Sequence, residues 1–340
     1  MYSATMKNKM LGCLIGGAIG DALGYPIECL TIQEIKKQYG LVTDFVTKEK
    51  EISDDTQMTL FSLEGLILAK DYSMGHVLKC LYESYRRWFD TQYGPEAIEP
   101  EIAQAGMLHQ DQRLFAMRAP GHACIDSLRK NIMGTCDTPI NLSKGNGCVM
   151  RAAPFGFLVE QPPEYIYQLG KNSAAITHGD TEAQECTGAF SLLIYYLLKG
   201  LSPLSAVNKV NDWLKAEKQK YAENVFCKML AINTADNNLE EKIKTIGDGW
   251  IAPEALTIAV LYLLNNYGNN VRKCFTEIIN CDGDSDTISA IFGNLYGAAY
   301  GIDAFNEIDY NNIECIDLIP KLLNTFFKLH LFPQKKYDHG

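Results

Sequence analysis

The sequence predicts an all-α fold, and three observations support that prediction. Apolar residues recur at i, i+3 and i+4 in segment after segment, which is the spacing of one helix face. Alternating apolar and polar stretches are scarce, and the best candidate for a strand, "LVTDFVT" at 41–47, is short. The sequence also lacks the regular succession of strands and helices that an α/β fold needs.

Two helices are predicted in the N-terminal part of the chain. In "NKMLGCLIGGAIGDALG" (8–24), apolar residues line one face and several glycines interrupt the pattern. Each glycine costs a helix about 1 kcal/mol, so their number predicts close packing against another backbone. The segment "DDTQMTLFSLEGLILAK" (54–70) is a second amphipathic helix, and Ser53 precedes it as a good N-cap residue.

Three further helices are predicted in the second half of the chain. The first begins with the capping box Thr181-x-x-Gln184 and ends at Gly200, and the second carries Pro253 at its start and Gly268 just beyond its end. The third repeats the glycine-rich pattern of the N-terminal helix. They are "TEAQECTGAFSLLIYYLLKG" (181–200), "PEALTIAVLYLLNNYG" (253–268) and "DTISAIFGNLYGAAYG" (286–301).

The composition favours a cytoplasmic protein of one domain. The 340 residues are 47% hydrophobic, enough for a large core, and a single domain spanning 1–340 is preferred because motifs near both ends need each other. The net charge of −10 argues against a nucleic-acid-binding protein. The N-terminus lacks the apolar core of a signal peptide, the 11 cysteines form no C-x-x-C pair, and the longest apolar stretches reach about half a membrane span. We therefore expect reduced thiols and no transmembrane segment.

The motif "SDDTQ" at 53–57 allows two interpretations. Ser53 is a good N-cap, and acids in the first turn suit the helix dipole, so Asp54 and Asp55 fit an ordinary helix start. The same two carboxylates and the hydroxyl also form half of a site for a divalent cation. Taken alone, the motif favours the helix start.

The motif "CDGDSDT" at 281–287 sharpens the second interpretation. Asp282, Asp284 and Asp286 repel one another, and capping explains only one or two of them. Mg²⁺ or Mn²⁺ would relieve that repulsion, because both ions prefer carboxylate and hydroxyl oxygens. Two helix N-termini facing each other, one with Ser53 and its acids and the other with Thr287 and its acids, could cage one or two ions.

Three weaker signals complete the candidate site. The turn "GNG" at 145–147, with Arg151 beyond it, is either a plain turn or a cradle for a phosphate, since its spacing matches no standard phosphate loop. His178, just before a helix start, is either structural or a contact to an anion or ribose hydroxyl. Glu28, where the chain leaves the glycine-rich helix that contains Asp21, is either a solvated loop acid or a carboxylate facing a cleft.

Together, the motifs resemble the ADP-ribosylglycohydrolase family, which includes dinitrogenase reductase-activating glycohydrolase. "GCLIGGAIGDALGYPIE", "SDDTQMTL", "GNGCVMRAAPFG", "THGDTEA" and "GDSDTISAIFGNLYGAAYG" follow in the family's order from about residue 8 to residue 301. The resemblance implies an all-α fold, a binuclear Mg²⁺ or Mn²⁺ centre, and hydrolysis of the bond between C1″ of ADP-ribose and an acceptor, the partner being an ADP-ribosylated protein or related conjugate.

The resemblance also implies roles for individual residues. Glu28, Asp55 and Asp284 are the implied catalytic residues. The implied metal ligands are Ser53, Asp54, Asp55, Asp284, Asp286 and Thr287. The implied substrate-binding residues are Gly145, Asn146, Gly147, Met150, Arg151 and His178.

Two departures from the family pattern leave parts of this interpretation open. Where the family usually has G-G-D, this chain has Asp282-Gly283-Asp284, and the extra acid either joins the metal shell or points to solvent. The segment "RAPGHACID" at 118–126 lacks the aspartate of the D-I-G motif found in some members. If that aspartate is the base in arginine-directed members, Glu28 or Asp126 replaces it here, so the acceptor remains open.

Three rival interpretations fit the sequence less well. A non-catalytic ADP-ribose binder on the same fold would be signalled by lost metal acids, and this sequence keeps all the positions. An all-α isoprenoid or terpene synthase needs D-D-x-x-D, whereas Met58 stands at the last position of the candidate motif. A phosphohydrolase with D-x-D on a strand needs the α/β alternation that is missing.

Overall fold

The all-α prediction is confirmed. The structure is a computed structural model and describes residues 2–94, 98–265 and 270–330. Within these ranges the chain forms fifteen α-helices and several short 3₁₀ segments, and no strand. The nearest approach to β structure is one antiparallel bridge between Gly145 and Ile251. The helices are α1 (Ala4–Gly24), α2 (Ile32–Gln38), α3 (Asp54–Leu68), α4 (Met74–Tyr93), α5 (Pro100–Ala105), α6 (His122–Arg129), α7 (Pro163–Ala175), α8 (Thr181–Leu198), α9 (Pro203–Ala216), α10 (Lys220–Thr234), α11 (Leu239–Lys244), α12 (Ala252–Leu264), α13 (Val271–Ile279), α14 (Ser285–Tyr300) and α15 (Leu318–His330).

Helices α1 and α14 pack backbone against backbone at the centre of the fold. A side chain on Gly16 would collide with the carbonyl group of Gly293, and one on Gly293 would collide with that of Gly16. Asn294 Nδ2 donates a hydrogen bond of 2.7 Å to the Cys13 carbonyl across the same interface. The glycines of the N-terminal helix are therefore explained by close packing, as predicted. Helices α3, α8 and α12 pack around this pair.

The segment 41–47, the best candidate for a strand, forms none, in keeping with the all-α prediction. Its Val42 N–H donates to Asn280 Oδ1 at 3.0 Å, and the Val42 carbonyl accepts from Asn280 Nδ2 at 2.7 Å. One amide side chain thus satisfies the backbone groups that a neighbouring strand would otherwise pair with. The sequence pattern was too short to specify which partner would satisfy them.

Two details of the helix ends also differ from the predictions. Asp180, not Thr181, caps α8, because Asp180 Oδ1 accepts from the amides of Glu182 at 2.9 Å and Ala183 at 3.1 Å. Thr181 is already helical, and Gln184 Nε2 donates to the His178 carbonyl instead of closing a capping box. Helix α12 begins at Ala252 with Pro253 second, and Gly268 lies outside the described residues.

One helical stretch in the described residues, Ala4–Ile27, is long and apolar enough by composition to cross a membrane. Of its most apolar window, 83% is buried inside the fold, where it packs on α14. A buried core helix passes the same test of length and composition. The stretch is therefore weak evidence for a membrane span.

Candidate metal centre

The N-termini of α3 and α14 meet in the interior of the protein. Thr287 Oγ1 donates a hydrogen bond of 3.1 Å to Asp55 Oδ2, which joins positions 232 residues apart in the chain. Asp54 and Asp286 are buried beside this contact. The structure thus brings together the two acidic motifs that the sequence analysis paired.

The start of α3 is organised by its own cap and by the 118–121 loop. Ser53 Oγ accepts from the Asp55 amide at 3.1 Å, which confirms Ser53 as the N-cap. The Asp54 amide donates to the Arg118 carbonyl at 3.0 Å, and Asp54 Oδ2 accepts from the Gly121 amide at 2.9 Å. Asp54 and Asp55 are therefore first-turn residues whose carboxylates are held in the interior. The interpretation of this motif as a helix start is confirmed, and its interpretation as half of a cation site stays a prediction.

The start of α14 supplies a second pair of carboxylates. Asp284 is its N-cap and accepts from the Thr287 amide at 3.2 Å, while Asp286 Oδ1 accepts from the same amide at 2.9 Å. One carboxylate oxygen each from Glu28, Asp284 and Asp286 lie within 4.8 Å of one another. Asp282, in contrast, is exposed and accepts from the Ile32 amide at 2.8 Å. The extra acid therefore binds the first amide of α2, whose N-cap is Thr31, and is not one of the three clustered carboxylates.

Burial and mutual repulsion raise the pKa of four carboxyl groups at the two helix starts and at Glu28. Removal from water is the largest cause that raises the pKa of Asp54, Asp55 and Asp286 well above the usual range, and the neighbouring carboxylates add to it. Burial, then the charges of Asp284 and Asp21, raise the pKa of Glu28 to about 7. Such a cluster favours any ligand that brings positive charge.

The available oxygens fit a hard divalent cation. Asp55 Oδ1 is buried and has no hydrogen-bond partner among the described residues, and a buried oxygen of this kind is costly unless something else binds it. The surrounding oxygen atoms belong to carboxylates and hydroxyls, the ligand types that Mg²⁺ and Mn²⁺ prefer. The residues present therefore fit one or more such ions.

A segment that the sequence analysis did not single out connects this cluster to the 145–147 loop. Asn146 Nδ2 donates to Asp284 Oδ2 at 2.6 Å and to the Gly249 carbonyl at 2.8 Å. The backbone N–H of Asn146 donates to the Trp250 carbonyl at 3.2 Å, and the backbone N–H of Asp284 donates to the Asp248 carbonyl at 2.8 Å. Residues 248–250 therefore fix the loop against a carboxylate of the cluster.

These bonds change the expectation for the loop as a phosphate cradle. The Gly145 amide donates to Ser143 Oγ at 3.2 Å, and the Asn146 amide is taken by Trp250, so neither amide is free for an anion. Gly147 is buried, with Cys124 Sγ and His178 on the side where its side chain would stand. The loop therefore forms a wall next to the cluster. It offers fewer free backbone amides to an anion than the sequence suggested.

Arg151, an implied substrate-binding residue, lies in the core behind the loop. Its guanidinium is buried, donates to Thr177 Oγ1 at 2.7 Å and lies 4.2 Å from the centre of the Tyr85 ring. Met150 is also buried, and its carbonyl accepts from Thr59 Oγ1. These two residues belong to the packing behind the loop, because their side chains face the core.

His178 also lies behind the loop. Its Nδ1 is 2.8 Å from Thr177 Oγ1, and its ring lies against Gly145 and Gly147. Burial, helped by the Arg151 charge, lowers the pKa of His178 to about 3, so the ring is neutral at pH 7. The structure thus places a neutral imidazole under the loop.

Two further acids, Asp21 and Asp126, lie in very different surroundings. Asp21, inside α1, is fully buried and accepts hydrogen bonds from the backbone of residues 53 and 56, although the sequence analysis left it out of the site. Asp126, one of the two alternatives for the base, is exposed on α6 and pairs with Arg129 at 2.8 Å. Of the two alternatives, Glu28 is the one that lies in the carboxylate cluster.

The raised pKa values predict how stability depends on pH. Glu28 (pKa raised from 4.5 to about 7) and Asp21 (from 3.8 to about 6) take up protons on folding, so their contribution is present at low pH and is lost as pH rises through these values. His178 acts in the opposite sense, but only below its unfolded pKa of 6.5. We expect the melting temperature of the metal-free protein to fall between pH 6.5 and 8.

Differential scanning fluorimetry in a chelator, with millimolar Mg²⁺ as the matched condition, checks this expectation. Bound cations compensate the ionised carboxylates, so the fall should be smaller with Mg²⁺. A melting temperature that stays constant or rises with pH in the chelator would contradict it.

The chain is similar to known proteins along nearly its whole length. The family model described as ADP-ribosylglycohydrolase matches residues 2–328. ADP-ribosyl-[dinitrogen reductase] glycohydrolase of Rhodospirillum rubrum is 22% identical over 311 residues, and the match covers 89% of each protein. ADP-ribosylhydrolase ARH3 of Danio rerio is 24% identical, and the match covers 98% of this chain and 94% of that protein.

A solved structure gives the same result at the level of the fold. The structure titled "ADP-ribosylglycohydrolase-related protein complex" matches with a TM-score of 0.60 and 20% sequence identity. The match covers 96% of this chain and 99% of the other. The shared architecture therefore extends over nearly the whole chain.

Proposed function

The chain belongs to the ADP-ribosylglycohydrolase family, and on that premise we propose that it is a metal-dependent hydrolase that removes ADP-ribose from a modified protein side chain or related conjugate. The observation that carries the proposal is the contact between Thr287 Oγ1 and Asp55 Oδ2, which unites two buried acidic helix starts. The unpaired Asp55 Oδ1 beside it supports a role for the cluster in binding cations.

The proposed reaction is hydrolysis at C1″ of the ribose. The bond between C1″ and the acceptor atom breaks, and a bond from a water oxygen to C1″ forms. Glu28 takes one proton from that water and returns it to the acceptor, which leaves with the electron pair of the broken bond. Its half-buried position and a pKa of about 7 suit a group that accepts and releases a proton near neutrality.

The other acids of the site stabilise the charge that develops on the ribose. Positive charge develops on the sugar as its bond to the acceptor breaks, and the carboxylates of Asp55 and Asp284 stabilise it. Two Mg²⁺ or Mn²⁺ ions, when bound, supply Lewis acidity and orient the sugar hydroxyls. We assign the ions to the oxygens of Ser53, Asp54, Asp55, Asp284, Asp286 and Thr287, with Glu28 next to them.

The loop at 145–147 is the proposed wall for the ADP part of the substrate. Its bond from Asn146 to Asp284 keeps this wall at a fixed position relative to the ribose site. The relatives named above act on ADP-ribosylated molecules, according to their names, which supports the same class of partner here. We also propose a cytoplasmic location, because the 11 cysteines are scattered without a C-x-x-C pair, which suits reduced thiols.

A panel of ADP-ribosylated substrates tests the proposal. Arginine-linked, serine-linked and free ADP-ribosyl conjugates are incubated with Mg²⁺ or Mn²⁺, and released ADP-ribose is measured against a chelator control. We expect release from at least one linkage, lost in the chelator. Absence of release from every member, together with tight binding of ADP-ribose, would favour the non-catalytic binding protein instead.

A further inference from the structure

Asp21 caps a helix to which it does not belong. Its Oδ1 accepts from the Ser53 amide at 2.9 Å, and its Oδ2 accepts from the Ser53 amide at 3.1 Å and from the Thr56 amide at 3.0 Å. Ser53 is the N-cap of α3 and Thr56 lies in its first turn, where backbone amides have no acceptor within the helix. Both carboxylate oxygens of Asp21 therefore accept backbone hydrogen bonds. These contacts position the helix start that carries Asp54 and Asp55, and they are not those of a metal ligand.

The same turn of α1 touches the start of α14 at Gly24. A β-carbon on Gly24 would stand 2.5 Å from both Cα and N of Asp286, a distance that real β-carbons do not reach. Only a glycine allows the backbone of Asp286 to lie this close. Gly24 and Asp21 are three residues apart, which is about 4.5 Å along the helix.

We propose that the last turn of α1 sets the distance between the two acidic helix starts. Asp21 fixes the first turn of α3, which carries Asp54 and Asp55, and Gly24 fixes the backbone of Asp286 at the start of α14. Both are positioning residues. The inference rests on the proposed function only in taking the cluster to bind divalent cations.

Two variants and a matched control separate positioning from general stability. Asp21→Asn keeps the size of the side chain, but its NH₂ group cannot accept from the α3 amides. Gly24→Ala leaves the charge unchanged and pushes Asp286 away. The control is Gly12→Ala, because a β-carbon there would stand 2.5 Å from Gly301 C and Ile302 N, an equal clash about 18 Å farther along the helix.

The readout is Mn²⁺ binding to metal-free protein by isothermal titration calorimetry, with the melting temperature measured alongside. We expect Asp21→Asn and Gly24→Ala to weaken Mn²⁺ binding by about 10- to 100-fold, as loss of supporting groups around metal ligands does. Gly12→Ala should lower the melting temperature as Gly24→Ala does and leave Mn²⁺ affinity within about two-fold of the unmodified protein.

Several outcomes would overturn the inference. They are unchanged Mn²⁺ affinity in Asp21→Asn, equal weakening in Gly12→Ala and Gly24→Ala, and no Mn²⁺ binding by the unmodified protein. If Gly24→Ala does not fold, Asp21→Asn decides alone. Mn²⁺ binding without release of ADP-ribose from any substrate would contradict the proposed function and leave this inference standing.

Discussion

Replacing Asp54 and Asp286 together by alanine should reduce release of ADP-ribose to background while the protein stays folded. Each acid sits at one of the two helix starts, so the double variant removes one carboxylate from each side of the proposed cation site. Binding of Mn²⁺, measured by calorimetry, should be lost as well. Each single variant should already lose most of the activity, since a hard cation held by few carboxylates tolerates little loss of charge.

The metal-free double variant should melt at the same or a higher temperature than the metal-free unmodified protein. Both acids are buried among other carboxylates, and each is destabilising when ionised without a cation. Asp282→Ala is the matched control, because it removes an acid from the same short motif but from an exposed position. Full activity in the double variant, or equal loss in the control, would contradict the assignment of the cluster.

Much of the candidate site could be predicted because its residues are also the local signals that start helices. Ser53 and Asp284 are N-caps, and acids favour the first turn, so the sequence alone located both helix starts. That these starts face each other came from counting acids: capping could not account for all of them. The structure confirms the meeting through Asp55 and Thr287.

What could not be predicted depends on contacts that no local pattern records. Asp21 stands out in the sequence only as one acid in an apolar helix, and its partners lie more than thirty residues away. The role of residues 248–250 arises from carbonyl groups, which every residue type carries. The position of Arg151 could not be predicted for a related reason: a cation near a glycine-rich turn suggests an anion site, whereas this guanidinium is buried against Thr177 and Tyr85.

Replacing Glu28 by glutamine should lower kcat by about 10²- to 10⁴-fold, the contribution usual for a residue that transfers protons. Glutamine keeps an oxygen at a similar position, so the protein should still bind Mn²⁺ and ADP-ribose, and assays at saturating Mn²⁺ isolate the effect on the chemical step. The pH profile of kcat should also lose its acidic limb, because the titrating base is gone.

Asp126→Asn distinguishes Glu28 from the alternative base. Asp126 is exposed, and in the described part of the chain its carboxylate pairs with its helix neighbour Arg129, a type of ion pair worth little to stability. Replacing Asp126 should leave kcat within a few-fold of that of the unmodified protein, because substitutions at exposed positions usually have small effects. The reverse pattern, with Glu28→Gln active and Asp126→Asn inactive, would move the base from the cluster to α6. The carboxylate cluster would then bind cations and sugar but take no part in moving the proton.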